Sequence, residues 1–85
     1  MSDVRYAWSD FLVLAITLRV AREQAGLTQQ QVDATLGMHS GVCDDIERAQ
    51  RMPTVEMLRG ICLILRLDFA AVAAILDRGG TTLPC

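Results

Sequence analysis

Apolar residues recur along this chain at intervals of three or four positions, and that spacing predicts helices throughout. No segment alternates apolar and polar residues as a half-buried strand does, and no Asn-Gly or Asp-Gly pair marks a hairpin turn. Residues that cap or stop helices stand between the apolar runs. The pattern predicts an all-α fold whose five helices lie at about residues 10–25, 29–36, 41–48, 55–65 and 69–76.

The helix boundaries are predicted from capping residues. Ser9 is a suitable N-cap for the first helix, and Gly26 supplies the left-handed residue that ends it. Thr28 and Gln31 match a T-x-x-Q capping box at the start of the second helix. The remaining expected caps are His39 or Ser40, Thr54 and Asp68, with Gly79-Gly80 ending the last helix.

The first helix carries more apolar surface than one buried face requires. One stripe at helical spacing consists of Phe11, Leu14, Leu18 and Ala21. The apolar residues outside that stripe are Leu12, Val13, Ile16 and Val20. A helix that is apolar beyond one stripe has a second surface to cover. Two interpretations stay open: a thicker core that includes Tyr6 and Trp8, or a self-association face, joined by Phe69 and Val72, that makes a homodimer.

Length and charge restrict the class of protein. The 85 residues, 52% of them hydrophobic, allow one small domain over residues 1–85. The net charge of -2 is too small for a disordered chain of this composition. No apolar run approaches the ~20 residues that cross a bilayer, so no membrane partner is expected. Residues 1–5 lack the basic and then apolar pattern of a secretory signal.

The residue types that perform chemistry are too sparse for catalysis or metal binding. Cys43, Cys62 and Cys85 stand far apart and His39 is the only histidine, so a metal site is not expected. An odd number of cysteines without a signal peptide indicates reduced thiols and a cytoplasmic protein. Without a glycine-rich phosphate loop, a Ser-His-Asp set or paired acids in a plausible cleft, the sequence predicts neither an enzyme nor a cofactor.

All eight positive charges are arginines, and ten carboxylates outnumber them. Proteins that bind nucleic acid through its phosphates usually carry a basic excess. Any binding of nucleic acid by this chain therefore depends on where individual arginines are placed.

The middle of the chain resembles a known family. The residues that carry the resemblance are Arg22-Glu23-Gln24-Ala25-Gly26-Leu27-Thr28-Gln29, then Val32, Leu36-Gly37-Met38, Ile46-Glu47, Pro53-Thr54, Leu58 and Leu65. In these residues and their spacing the chain is similar to the lambda-repressor/Cro-like helix-turn-helix domains, also called the Xre family, over about residues 18–76. Residues 1–17 would then form an N-terminal apolar helix extension, and residues 77–85 a tail. The resemblance implies a compact five-helix bundle whose second and third helices form the helix-turn-helix, with the third entering the major groove of duplex DNA.

The resemblance assigns structural roles to three residues. Gly37 would permit the sharp turn between the second and third helices, because glycine adopts the left-handed conformation without steric cost. Arg22 would pair with Glu47 and clamp the first helix to the end of the third.

The resemblance also implies a set of DNA contacts. Gln29 stands where the family places a glutamine that contacts a phosphate, although it could instead simply begin a capped helix. The positions that would face the groove are His39, Ser40, Gly41, Asp44 and Asp45. Arg48 and Arg51 follow the third helix and would hold the DNA backbone; the alternative is that both lie in a solvated loop.

Two departures from the family pattern concern acidic residues. Asp33 stands where the family usually has a small residue, so its carboxylate must find a partner or reach water, either by splaying the helix pair or past Gly41. Asp44 and Asp45 place two carboxylates and no cation on the groove-facing helix. They could accept a hydrogen bond from a cytosine amino group, but they also repel the phosphates.

The sequence therefore predicts a small Xre-like transcriptional regulator, a repressor that binds duplex DNA as a homodimer. The alternative is a protein-interaction module on the same fold, of the antirepressor or inhibitor type. Such a module would bind another protein through its acidic third helix or its apolar first helix, and would not bind DNA. The charge of the surface around the third helix separates the two hypotheses.

Overall fold

The structure, a computed structural model, describes the backbone of residues 2–80 and the side chains of residues 11–75. Its helices, in chain order, are α1 (Ser2–Gln24), α2 (Gln29–Thr35), α3 (Val42–Glu47), α4 (Val55–Leu65) and α5 (Phe69–Gly80). No strand occurs in this part of the chain, and the predicted all-α fold of five helices is confirmed. None of the described helices combines the length and the apolar character needed to span a bilayer.

Capping bonds begin three of the helices at the predicted residues. The Gln31 amide donates to the Thr28 hydroxyl at 3.0 Å, and the Thr28 amide donates to the Gln31 side chain at 2.8 Å, which completes the capping box of α2. The Thr54 hydroxyl accepts a first-turn amide of α4 at 3.1 Å. The Asp68 carboxylate accepts a first-turn amide of α5 at 3.2 Å. Each bond satisfies an amide that has no partner inside its own helix.

The first helix is longer than predicted. α1 begins at Ser2, so Ser9 lies inside the helix and is not its N-cap. Residues 2–9 contain neither glycine nor proline, and nothing in them stops a helix. The side chains of Tyr6 and Trp8, which one of the two interpretations places in a thicker core, lie outside the described residues.

The last helix is also longer than predicted, because α5 continues past Leu76 through Gly79 and Gly80. Glycine weakens a helix by about 1 kcal/mol relative to alanine, but it makes no clash with the preceding turn. The expected tail therefore begins as helix, and residues 81–85 lie outside the part that the structure describes.

The core lies where α1 packs across the other helices. The most deeply buried large side chains are Leu14, Leu18, Val32, Ile46 and Cys62, which come from α1 to α4. α5 adds Val72, which is also buried. The expectation that Val72 joins an exposed apolar patch is wrong, because α5 packs against α1 and turns this side chain into the core.

Three β-branched residues of α1 remain on the surface. Val13, Ile16 and Val20 are exposed by 45%, 59% and 43%, and their spacing places them on one side of the helix. Phe69, by contrast, packs against the core and lies beneath the Arg59 guanidinium, whose carbon is 4.6 Å from the ring centroid. The described residues therefore leave the second apolar face of α1 uncovered.

Four helices end in the same hydrogen-bonded turn. After α1 and α2 the left-handed residue of the turn is Gly26 or Gly37, with φ of +76° and +68°. After α3 and α4 it is Ala49 or Arg66, with φ of +58° and +59°. In each turn the next amide donates to the carbonyl five residues earlier, at 2.8 to 3.2 Å. This is the Schellman arrangement, and two of the four examples form without glycine.

Candidate functional site

The turn over residues 36–41 joins α2 to α3. Gly37 has a φ of +68°, which a residue with a side chain adopts only at a steric cost. His39 and Ser40 are exposed at the tip of the turn. Gly41, with a φ of +95°, is the N-cap of α3 and offers no side chain to the helix amides. The prediction that His39 or Ser40 caps this helix is therefore wrong.

The missing cap of α3 is supplied by Asp33, one helix earlier. Its Oδ2 accepts the Gly41 amide at 2.9 Å and its Oδ1 accepts the Cys43 amide at 2.8 Å. The side chain is buried, with Asp33 only 4% exposed. The carboxylate therefore finds its partners inside the protein and does not reach water past Gly41. Its two hydrogen bonds join α2 to the start of α3, so the two helices are not splayed by it. A negative charge at a helix N-terminus is also favoured by the helix dipole.

Arg22 and Glu47 form a two-pronged ion pair between α1 and α3. Arg22 Nε donates to Glu47 Oε2 at 2.6 Å and Nη2 donates to Oε1 at 3.1 Å. The remaining guanidinium nitrogen, Nη1, donates to the Leu27 carbonyl at 2.7 Å, just before α2. The side chains of Arg22 and Glu47 are 12% and 4% exposed, so this pair is screened little by water.

Glu47 also accepts bonds from two further side chains. Gln29 Nε2 donates to Glu47 Oε1 at 2.9 Å, and the Cys43 thiol donates to Oε2 at 3.3 Å. Burial alone would raise the pKa of the Glu47 carboxyl, but the bonds from Arg22, Gln29 and Cys43 outweigh it and lower that pKa. Burial and the bond to Glu47 raise the pKa of the Cys43 thiol to about 12, so it stays protonated as the donor. The Glu47 carboxylate thus links the end of α1, through Arg22, to the start of α2, through Gln29. Its bond from Cys43 lies within α3.

The two exposed carboxylates of α3 are paired with arginines that follow the helix. Asp44 lies 3.5 Å from Arg48, one helical turn later, and Asp45 lies 3.7 Å from Arg51. These four side chains are 42% to 67% exposed, and such pairs contribute about 0–1 kcal/mol. The Asp44 carboxylate additionally accepts Gln29 Nε2 at 3.3 Å. Around α3 the two arginines therefore stand next to carboxylates.

Two open clefts lie on either side of α3. Each is lined by some of the side chains that were predicted to contact DNA. One cleft, of about 530 Å³, has the apolar residues Met38 and Met57 in its wall, and its polar lining includes His39, Ser40, Asp45 and Arg51. The other, of about 270 Å³, is lined by Gln29, Asp44, Glu47 and Arg48, together with α1 residues. Among the described residues no three His, Cys, Asp or Glu side chains are arranged to hold a metal ion.

Sequence reasoning missed two contributors to this site. The bond from Cys43 to Glu47 spans four positions of one helix, and that spacing is a signal that could have identified it. The bonds from Asp33 to the start of α3 cross the turn and have no signature in the local sequence.

A comparison with protein families agrees with this architecture. A family model described as "Helix-turn-helix domain" matches residues 13–77, which is most of the chain. The helix-turn-helix resemblance predicted over about residues 18–76 is thereby confirmed. No curated protein and no solved structure matches the chain.

Proposed function

This chain belongs to the helix-turn-helix domain family, and from that membership we propose that it is a small transcriptional regulator of the lambda-repressor/Cro-like, or Xre, type. It acts in the cytoplasm as a repressor and binds duplex DNA as a homodimer. The observation that carries the proposal is the setting of α3. Its residues Val42, Cys43 and Ile46 are fixed in the core, while His39 and Ser40 are exposed at the turn before it. A helix that is fixed in the core and preceded by an exposed turn is the arrangement that a helix-turn-helix presents to the major groove.

Arg48 and Arg51 hold the DNA backbone in this proposal. Each must exchange its carboxylate partner for a phosphate, because both are paired before binding. Their exposed pairs contribute at most about 1 kcal/mol each, so the exchange is inexpensive. Binding therefore depends on few cations, and four arginines in a dimer give a log-log salt slope of about -3.6. Affinity should fall about 150-fold when salt rises from 50 to 200 mM.

Asp44 and Asp45 oppose this binding, since each leaves an uncompensated carboxylate near the phosphates once its arginine has moved away. At ~6–8 Å, partly screened, the repulsion is on the order of 1 kcal/mol per carboxylate. Neutral residues of the same shape at both positions should therefore strengthen binding to any sequence.

The homodimer is supported by the uncovered face of α1. Val13, Ile16 and Val20 form an apolar strip that water would otherwise contact. The strip belongs to α1 and not to the helix-turn-helix, so a dimer formed through it leaves α3 of each subunit free for a DNA half-site.

Fluorescence anisotropy with labelled duplex DNA at two salt concentrations tests the proposal. The double variant Arg48→Gln/Arg51→Gln should lose binding to all sequences alike, whereas Asp44→Asn/Asp45→Asn should bind random duplexes more tightly than the wild type. Arg66→Gln is the matched control, because it removes an exposed arginine after α4 and should leave affinity unchanged. Tight, specific binding by the wild type that disappears in the double Asp variant would make the carboxylates base-reading groups and contradict the repulsion.

The rival hypothesis, a protein-interaction module that does not bind DNA, is favoured by the α3 carboxylate next to each of Arg48 and Arg51. Its carboxylates would face cationic side chains of a partner, so the double Asp variant would lose that complex. Absence of DNA binding by the wild type and by the double Asp variant, at low salt, would sink the regulator proposal.

A further inference from the structure

We propose that Asp44 is a positioning residue for Gln29, which it holds, together with Glu47, with both amide N–H groups turned into the protein. The Gln29 side chain then offers DNA a hydrogen-bond acceptor, and a phosphate contact through its amide requires that the Asp44 bond opens first. The functional part of this inference rests on the proposed DNA binding, whereas the arrangement of Gln29 can be tested without DNA.

The orientation of the Gln29 amide follows from the chemistry of its partners. Nε2 lies 2.9 Å from Glu47 Oε1 and 3.3 Å from Asp44 Oδ1. Ionised carboxylates only accept hydrogen bonds, so the amide nitrogen, and not the amide oxygen, must face them. Nε2 carries two hydrogens, and one is directed to each carboxylate. Oε1 is left as the polar atom that Gln29 can present outward.

That arrangement is unsuited to a phosphate. Phosphate oxygens are acceptors, and they need the N–H groups that Asp44 and Glu47 already occupy. The resemblance implies a phosphate contact by Gln29, so in this chain such a contact competes with two internal bonds.

Asp44 holds the weaker of the two bonds. Its distance to Nε2 is longer, and its side chain is 42% exposed, whereas that of Glu47 is 4% exposed and fixed by Arg22. Opening the Asp44 bond frees one N–H while the other stays on Glu47. Asp44 also pairs with Arg48, so the same carboxylate restrains two of the groups that would meet a phosphate.

Three single variants separate the hydrogen bond from the charge. Asp44→Ala removes both. Asp44→Asn removes the charge and keeps an oxygen acceptor for Gln29. Asp45→Ala is the matched control, because it removes the neighbouring carboxylate of similar exposure, which contacts Arg51 and not Gln29.

The first measurement is the ¹H–¹⁵N spectrum of the Gln29 side-chain amide without DNA, assigned by its loss in Gln29→Ala. In Asp44→Ala, one N–H should exchange faster with solvent and shift. In Asp44→Asn and Asp45→Ala, both N–H signals should stay close to those of the wild type. A Gln29 amide that behaves alike in the wild type and in Asp44→Ala overturns the proposal.

The second measurement is the salt dependence of binding to random duplex DNA. For each subunit that gains a contact, Asp44→Ala should bind about tenfold more tightly than Asp45→Ala, which is the worth of one charged hydrogen bond. The salt slopes of the two variants should be equal, because the Gln29 side chain is neutral and displaces no counterion. The difference in affinity should disappear when Gln29→Ala is added. Equal affinities of Asp44→Ala and Asp45→Ala would refute the functional part. If no variant binds DNA, the regulator proposal fails, and the amide spectrum alone decides whether Asp44 positions Gln29.

Discussion

Replacing Asp33 with alanine should destabilise the protein, although the family pattern favours a small residue at this position. The change removes both bonds that the carboxylate accepts, at 2.9 Å from the Gly41 amide and 2.8 Å from the Cys43 amide. A hydrogen bond to a charged group contributes about 1.5–3 kcal/mol, and relief from burying the carboxylate returns part of the sum. We expect a net loss of about 2–4 kcal/mol, which is more than the ~1 kcal/mol of an ordinary exposed N-cap. For a domain of this size that loss lowers the melting temperature by at least about 8 °C.

Urea unfolding followed by far-UV circular dichroism at pH 7 measures the loss. Asp68→Ala is the control, because it removes an exposed cap with one amide bond and should cost about 0.5–1 kcal/mol. Asp33→Asn should be nearly as unstable as Asp33→Ala, since its NH₂ group would face one of the two amide donors. An Asp33→Ala protein within about 0.5 kcal/mol of the wild type would refute the assignment of Asp33 as the cap of α3.

Three further predictions concern the ion pair and the apolar face of α1. Arg22→Ala and Glu47→Ala should each cost roughly 1–3 kcal/mol, and a double-mutant cycle should give a coupling of at least about 1 kcal/mol; a coupling near zero would remove the clamp. Because the folded protein lowers the pKa of Glu47, its stabilising contribution is complete above the unfolded value of about 4.3 and is lost as the pH falls through the lower folded value. In that window the unfolding free energy of the wild type should fall more steeply than that of Glu47→Gln, and parallel curves would contradict the assignment. Sedimentation equilibrium at high micromolar concentration should find a dimer for the wild type and a monomer for Ile16→Asp, whose change lies on the exposed strip; a monomeric wild type would exclude this interface.

Local signals predicted α2 and α4 well. The bounds of α4, residues 55–65, and its cap Thr54 agree with the structure, and so does the capping box of α2. Each of these signals acts within three residues, so a sequence displays it completely. Ser9 shows the limit of the same reasoning, because a residue that suits an N-cap also fits inside a longer helix.

Contacts between helices were predicted less completely. The resemblance implied the pairing of Arg22 with Glu47, which the structure brings together at 2.6 Å. The resemblance implied that Asp33 must find a partner or reach water, but the partner is a pair of amides that only the folded turn brings within reach. The bond between Gln29 and Asp44 joins residues on different helices and depends on the packing of α2 against α3. Such bonds depend on how the helices pack, and the sequence around either residue carries no signal for them.

The two helix ends without glycine bear on how this domain can evolve. The left-handed conformation costs a residue with a side chain about 1–2 kcal/mol, and glycine avoids this cost. Glycine also makes the unfolded chain more flexible, which lowers the free energy of unfolding by about 0.4–1 kcal/mol. Replacing Ala49 or Arg66 with glycine should therefore stabilise the folded protein by about 0.5–1 kcal/mol. A domain of 85 residues has a total stability of about 4–13 kcal/mol, so one such change offsets a typical destabilising mutation elsewhere. A lineage that acquires it gains tolerance for new residues elsewhere in the domain, including the exposed turn before α3.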